Sequence, residues 1–140
     1  MAAAADNLAL LKAAYTKWNE SKGTNEQVWF EAMTDNVRLK SLAAGKPGAE
    51  FTREVKGKAD LQRYFRGLRE GWTMKHYSPK HFIVDGDRIA VMGTTRWTCR
   101  ATGRDIDTPK ADFVRFESGK IVEFYEFYDT AALGEAAQGT

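Results

Sequence analysis

Hydrophobic positions at the start of the chain recur at helical spacing. Leu8, Leu11, Tyr15 and Trp18 fall on one face of a helix that Asp6 or Asn7 can cap and that ends near "NESKGT". Thr24 and Gln27 have the spacing of a capping box, and Val28, Trp29, Ala32 and Met33 mark a short second helix. In "TDNVRLKSL" the period changes to two: Val37, Leu39 and Ser41 alternate with Arg38 and Lys40, which predicts a strand. Residues 43–57, "AAGKPGAEFTREVKG", with glycines, a proline and mixed charges, predict a long loop of the kind that often forms a lid or binding loop. A third helix follows from Lys58 to Glu70, with Leu61, Tyr64, Phe65 and Leu68 as its stripe and Gly71 as its stop.

From Trp72 onward the pattern is that of strands. Turn signals at "DGD", "ATGRD" and "ESGK" divide the remainder into antiparallel strands over roughly 72–84, 88–100, 106–117 and 120–128. Helices first and a meander afterwards make the fold class α+β.

Alternation along a strand assigns its faces. Asp112 shares a face with Val114 and Phe116, and Glu126 with Val122, Phe124 and Tyr128, opposite Ile121, Glu123, Tyr125 and Phe127. A tight "DGD" turn sets even positions of strand 72–84 against odd positions of strand 88–100, so His76 falls beside Thr95 or Trp97 and His81 on the other face. Pro79 bears on this, because a proline inside a strand often marks a bulge, which reverses the parity of everything before it.

Composition narrows the function classes. With 140 residues, 43% hydrophobic and 29% charged, the chain reads as one soluble domain spanning 1–140 with a core at about 6–133. The 21 Lys plus Arg against 19 Asp plus Glu are scattered, so no nucleic acid partner is expected. The single cysteine, Cys99, excludes an intramolecular disulfide and a cysteine-based metal cluster. "MAAAADNLALL" lacks a basic leader, and no window reaches a membrane span of about 18 apolar residues, so a cytoplasmic protein with no membrane partner is expected. "GKPGAE" is not a P-loop, and no organic cofactor is implied. His76, Asp112 and Glu126 are metal-ligand types, but two histidines in the chain supply little nitrogen ligation, and no metal is expected.

The ordered elements "KWNE", "MTDNV", "VKGKADLQRYFRGL", "VDGDRIAV", "TGRD", "FVRFESGKIVEFYEFYD" and "TAAL" cover most of the chain from about Leu8 to Leu133. In them the chain resembles the SnoaL-like branch of the nuclear transport factor two-like superfamily, with ketosteroid isomerase, scytalone dehydratase, limonene epoxide hydrolase and polyketide cyclases. The resemblance implies a cystatin-like α+β cone: three N-terminal helices in the concave face of a strongly curved, mainly antiparallel sheet, with a central pocket and often a dimer. It implies that Asp112 points into the pocket, where ketosteroid isomerases carry an aspartic acid that donates to an oxyanion. It likewise turns Glu126 and Tyr128 inward, with Thr95, Trp97 and Cys99, and leaves Arg96, Thr98 and Arg100 outside.

The sequence also departs from these relatives. Ser41 stands where ketosteroid isomerases hold the general base, and Tyr15 is one residue out of line with their oxyanion tyrosine. Arg96, nearest the arginine of the limonene hydrolase Asp-Arg-Asp set, has outward parity. Steroid isomerisation and epoxide hydrolysis are therefore disfavoured. Scytalone dehydratase-like and polyketide cyclase-like members use His and Asp acid/base chemistry on aromatic or enolisable substrates, which His76 and Asp112 could imitate.

The expectation is thus a cofactor-independent acid/base enzyme of isomerase, dehydratase, cyclase or hydrolase type. Asp112, His76 and Glu126 are its catalytic candidates. A small apolar or aromatic molecule would be contacted by Tyr15, Trp18, Phe30, Tyr64, Trp97, Phe124 and Tyr128. A carboxyl group in an aromatic cavity is pushed toward its neutral form, which suits proton transfer near pH 7. Set against this, the two acids could be structural, bonded to helix residues such as Tyr15, Trp18 or Tyr64. The cavity could equally bind a ligand without turnover, or the domain could serve protein interaction. The outer face carries Phe113, Tyr125, Phe127, Arg96 and Arg115, a composition enriched at interfaces, and a homodimer through it is expected.

Overall fold

The apolar stripes sort the chain into α1 (Ala2–Glu20), α2 (Gln27–Ala32), β1 (Met33–Ser41), β2 (Val55–Lys56), α3 (Lys58–Gly71), β3 (Trp72–Asp85), β4 (Arg88–Cys99), β5 (Asp105–Glu117), β6 (Lys120–Tyr128) and α4 (Thr130–Gln138). These are the elements of a computed structural model that describes residues 2–138. Met1, Gly139 and Thr140, the ends of the expected 1–140 domain, lie outside the described residues.

The strands form one sheet in the order β2-β1-β6-β5-β4-β3. Hairpin turns make β3 to β6 successive antiparallel neighbours, whereas β1 pairs with β6 in parallel because the rest of the meander separates them. The helices cover one face of this curled sheet, giving the α+β cone. Leu11, Tyr15 and Trp18 of α1 and Leu61, Tyr64 and Phe65 of α3 are buried in one core with Val91, Val114 and Phe124 of the sheet.

Local boundaries differ from the pattern in instructive ways. α1 begins at Ala2 rather than at an Asp6 cap, because four consecutive alanines extend a helix readily. The capping box before α2 does not form: the Thr24 hydroxyl donates to the Ser21 carbonyl at 2.8 Å, and Ser21 Oγ accepts from the Thr24 and Asn25 backbone N–H groups at 3.2 and 3.0 Å. Met33 opens β1 instead of ending α2.

The expected loop 43–57 is ordered by its own contacts. It contains a single 3-10 turn at Glu50–Thr52 and the two residues of β2, which pair with Arg38 and Leu39. Ala49 and Thr52 are buried, and Thr52 Oγ1 accepts from the Gly45 N–H at 3.0 Å. Lys46 Nζ donates to the Thr130 carbonyl at 2.9 Å, tying the loop to α4, whose start is capped by Asp129 through its carboxylate and the Ala132 N–H at 3.0 Å.

Two bulges in β3 decide which side chains reach the interior. Tyr77 pairs with Thr95 and Pro79 with Gly93, but the register shifts between Pro79 and His81 and again between Met74 and His76. The extra residues, Lys80 and Lys75, invert the faces of the segment between them. His76 consequently lies opposite Arg96 on the outer face, and Tyr77 takes the inward place expected for His76. A third shift, between Arg115 and Phe116, sets Ile121 opposite the buried Phe116, so Ile121 enters the core instead of lying on the outer face. Among the described residues no helix is long and apolar enough to cross a membrane.

Candidate active site

Between helices and sheet lies a cavity of about 90 Å³. Tyr15 and Trp18 of α1, Tyr64 of α3, and Trp97, Phe124 and Tyr128 of the sheet line it as expected from the sequence. Phe51 from the 43–57 loop and Leu133 from α4 complete the wall, so the loop and the last helix close over it. Phe30 is not part of the lining; its ring packs on Phe65, 5.6 Å between centroids.

The polar end is built by register. β5 sets Asp112 directly opposite Glu126 of β6, and Lys110 opposite Tyr128. Two carboxylates side by side on an inner face repel each other. Lys110, two residues before Asp112 and therefore on the same face, separates them: its Nζ lies 2.6 Å from Asp112 Oδ1 and 3.2 Å from Glu126 Oε2. Burial opposes the ammonium charge, but the attraction of Asp112 and Glu126 and the hydrogen bond to Asp112 outweigh it, so the Lys110 pKa stands above its ordinary value.

Tyrosines from the helices and from β3 complete this cluster. The Tyr15 hydroxyl donates to Asp112 Oδ2 at 2.6 Å, the Tyr77 hydroxyl donates to the same oxygen, and Lys110 Nζ donates to Tyr77 at 2.8 Å. Tyr64 donates to Glu126 Oε1 at 2.7 Å. Burial foremost, and then the negative charge of Asp112, push the Tyr15 and Tyr77 pKa values well up; burial and Glu126 do the same to Tyr64. At neutral pH all three are phenols that donate. Tyr128 shares a 2.8 Å hydrogen bond with Ser41. When Ser41 is its donor, the Tyr128 proton is free to point into the cavity.

The three catalytic candidates meet different fates. Asp112 faces inward but is only 1% exposed and does not line the cavity: Tyr15, Tyr77 and Lys110 hold its oxygens. Glu126 lines the cavity and is the carboxylate a ligand can touch. His76 is turned away by the β3 bulges; its Nδ1 lies 3.3 Å from Ser78 Oγ. The set His76, Asp112 and Glu126 is accordingly not assembled. Glu123 sits outside, paired with Arg115.

Lys110 and Tyr77 carry no weight in the sequence reading, for different reasons. Lys110 shares Asp112's parity and was legible from spacing alone, but a lysine on a strand ordinarily reads as solvent-facing. Tyr77 becomes inward only once the bulge beside Pro79 is placed.

Comparison with known proteins gives a consistent fold. No curated protein matches the chain. A nuclear transport factor two-like protein of unknown function from Burkholderia pseudomallei is 22% identical, with a TM-score of 0.82 over 96% of this chain and 98% of that one. TerC, crystallised with polyporic acid, is 19% identical with a TM-score of 0.79, covering 96% and 99%. A candidate SnoaL-like polyketide cyclase from Jannaschia sp. CCS1 is 17% identical with a TM-score of 0.77, covering 97% and 94%. At these identities the likeness is one of fold. The family model of the SnoaL-like domain matches residues 11–124, which is most of the chain, and the chain therefore belongs to the SnoaL-like family.

Proposed function

We propose that this protein binds a small aromatic molecule in the cone cavity and performs acid/base chemistry on it, of isomerase, cyclase, dehydratase or hydrolase type, with Glu126 as the proton-transferring group. The observation that carries this reading is the position of Glu126, a carboxylate at the wall of a cavity otherwise lined mainly by aromatic and aliphatic side chains. Its two oxygens are oriented by Tyr64 and Lys110. Such a fixed carboxylate can take a proton from a bound molecule without reorganising. The Tyr128 hydroxyl then donates to the atom on which charge develops, and Asp112 is a positioning residue that holds Lys110 beside Glu126.

A volume of about 90 Å³ lies below the range of roughly 300–1,000 Å³ usual for drug-sized ligands, which favours one or two rings over a steroid skeleton. The test is incubation in D₂O with a panel of one- and two-ring ketones and phenols, read by NMR. Enzyme-dependent deuterium uptake or conversion supports acid/base catalysis. Saturable binding with neither outcome favours a ligand-binding role without turnover, a reading to which the complete pairing of Asp112 also lends weight.

The proposal includes a second copy of the chain on the outer sheet face. Phe113 and Phe127, 52% and 39% exposed, form an edge-to-face pair there at 5.5 Å, and Ile83 and Met92 on the same face are exposed too. An apolar face of this kind is better covered than solvated.

A further inference from the structure

We propose that the cavity's ligand is an aromatic amine in its protonated form, with its ammonium against Glu126 and its ring among the aromatic side chains of the wall. This rests on the reading that the cavity holds a small aromatic molecule, and it names the head group that the polar end selects.

The hydrogen-bond capacity left over at that end leans toward acceptors. Lys110 has three N–H donors; two go to Asp112 Oδ1 at 2.6 Å and the Tyr77 oxygen at 2.8 Å, and its ammonium lies in ion-pair range of Glu126 Oε2 at 3.2 Å. The phenol protons of Tyr15 and Tyr77 go to Asp112, and that of Tyr64 goes to Glu126. Near the carboxylates, one Lys110 N–H, drawn toward Glu126, and the Tyr128 hydroxyl when Ser41 donates to it remain for a ligand that brings only acceptors. Glu126 differs. A carboxylate offers about four lone-pair sites; Tyr64 fills one of them, and Lys110 approaches the other oxygen as an ion pair at 3.2 Å. A donor on the ligand can take another.

Charge points the same way. One ammonium, Lys110, stands against two carboxylates, Asp112 and Glu126, leaving one formal negative charge in excess beside the cavity. Among the described residues, Glu126 and Lys110 are the only Asp, Glu, Lys or Arg side chains in the lining, and no second cation there offsets it. The aromatic wall adds to the preference, since Trp18, Trp29, Trp97 and Phe124 line the same space, and aromatic rings attract cations. The protein already uses this attraction on its own cation: Lys110 Nζ lies 5.0 Å from the Tyr77 ring centroid and 5.9 Å from that of Phe124. A ligand carboxylate would meet the excess negative charge instead, and a neutral alcohol would gain the hydrogen bond but not the charge.

Isothermal titration calorimetry at pH 7 with three probes of one ring size tests this: 2-phenylethylamine, 2-phenylethanol and 3-phenylpropionate. The expected result is tightest binding of the amine, with a preference over the alcohol of about tenfold or more and a larger one over the carboxylate. In Glu126→Gln, which keeps the shape and removes the charge, the amine should fall to the level of the alcohol. The wild-type series stands without the variant should Glu126→Gln not fold. Equal or tighter binding of the carboxylate or the alcohol overturns the proposal, as does failure of all three probes to bind. The readout is separate from turnover. Amine-selective binding without catalysis leaves this inference standing and removes the catalytic reading, whereas conversion of a neutral or anionic substrate does the reverse.

Discussion

Lys110 Nζ and Asp112 Oδ1 stand 2.6 Å apart in the concave face of the sheet, with side-chain exposures of 9% and 1%. Removing one partner of a buried pair strands the other charge. Asp112→Asn and Lys110→Met should each cost about 3–5 kcal/mol in urea denaturation. Because the two side chains act as a unit, the double variant should cost less than the sum by about 1–3 kcal/mol. Additive losses would show that the pair is not coupled.

Alkaline pH probes the same cluster through its protons. The pKa values of Lys110, Tyr15, Tyr64 and Tyr77 are all raised in the folded protein. The fold thus favours the protonated forms. Its contribution from these groups is complete below their unfolded values, about 10 for Tyr and about 10.4 for Lys, and declines as pH climbs from there toward the folded values. Stability should therefore be insensitive to these groups up to about pH 9 and fall steeply above pH 10. Most phenolate absorbance should appear together with loss of the circular dichroism signal. Early titration of these tyrosines in a still-folded protein would contradict the hydrogen-bond network.

Gly93 holds the β3 bulge in place. A Cβ there would overlap the Ser78 carbonyl oxygen and lie 2.8 Å from Pro79 Cα, both backbone atoms that cannot swing aside. Gly93→Ala should destabilise by about 1–3 kcal/mol, as overpacking does. Gly71→Ala, with nothing within 4 Å of the added methyl, should be close to neutral in thermal unfolding.

On the outer face, Phe113→Asp places a charge in the centre of the exposed aromatic pair. Analytical ultracentrifugation should show a dimer for the wild-type protein and a monomer for the variant at the same concentration. A monomeric wild type would remove the second copy from the proposal.

Much of this architecture is legible in the chain itself. The four-strand meander is marked by three turn signals, and α3 by its stripe and its terminal glycine, so the cone and the inward faces of β5 and of most of β6 follow from period and resemblance. What escaped is what a period cannot carry. One extra residue at Lys80 inverts the face of His76 and Tyr77, and another at Lys75 restores it, so Met74 and Trp72 obey the simple alternation while the chemically important positions between them do not. Ile121 is displaced by the same kind of event. α4 is a weak signal because "TAALGEAAQ" offers only Leu133 and Ala136 as buried residues and carries a mid-helix glycine. Tyr15 is one place out of line with the relatives' tyrosine, yet it reaches the carboxylate, since helix α1 needs to deliver only its hydroxyl.

Glu126 is the centre of the functional account, and its removal is the most direct test. With a substrate found by the deuterium screen, kcat should fall by at least about a hundredfold in Glu126→Gln, the scale of a general acid/base group, while ligand exchange and folding persist. His76→Ala, on the outer face, should leave kcat unchanged. Full turnover in Glu126→Gln, or loss of turnover in His76→Ala, would contradict the account.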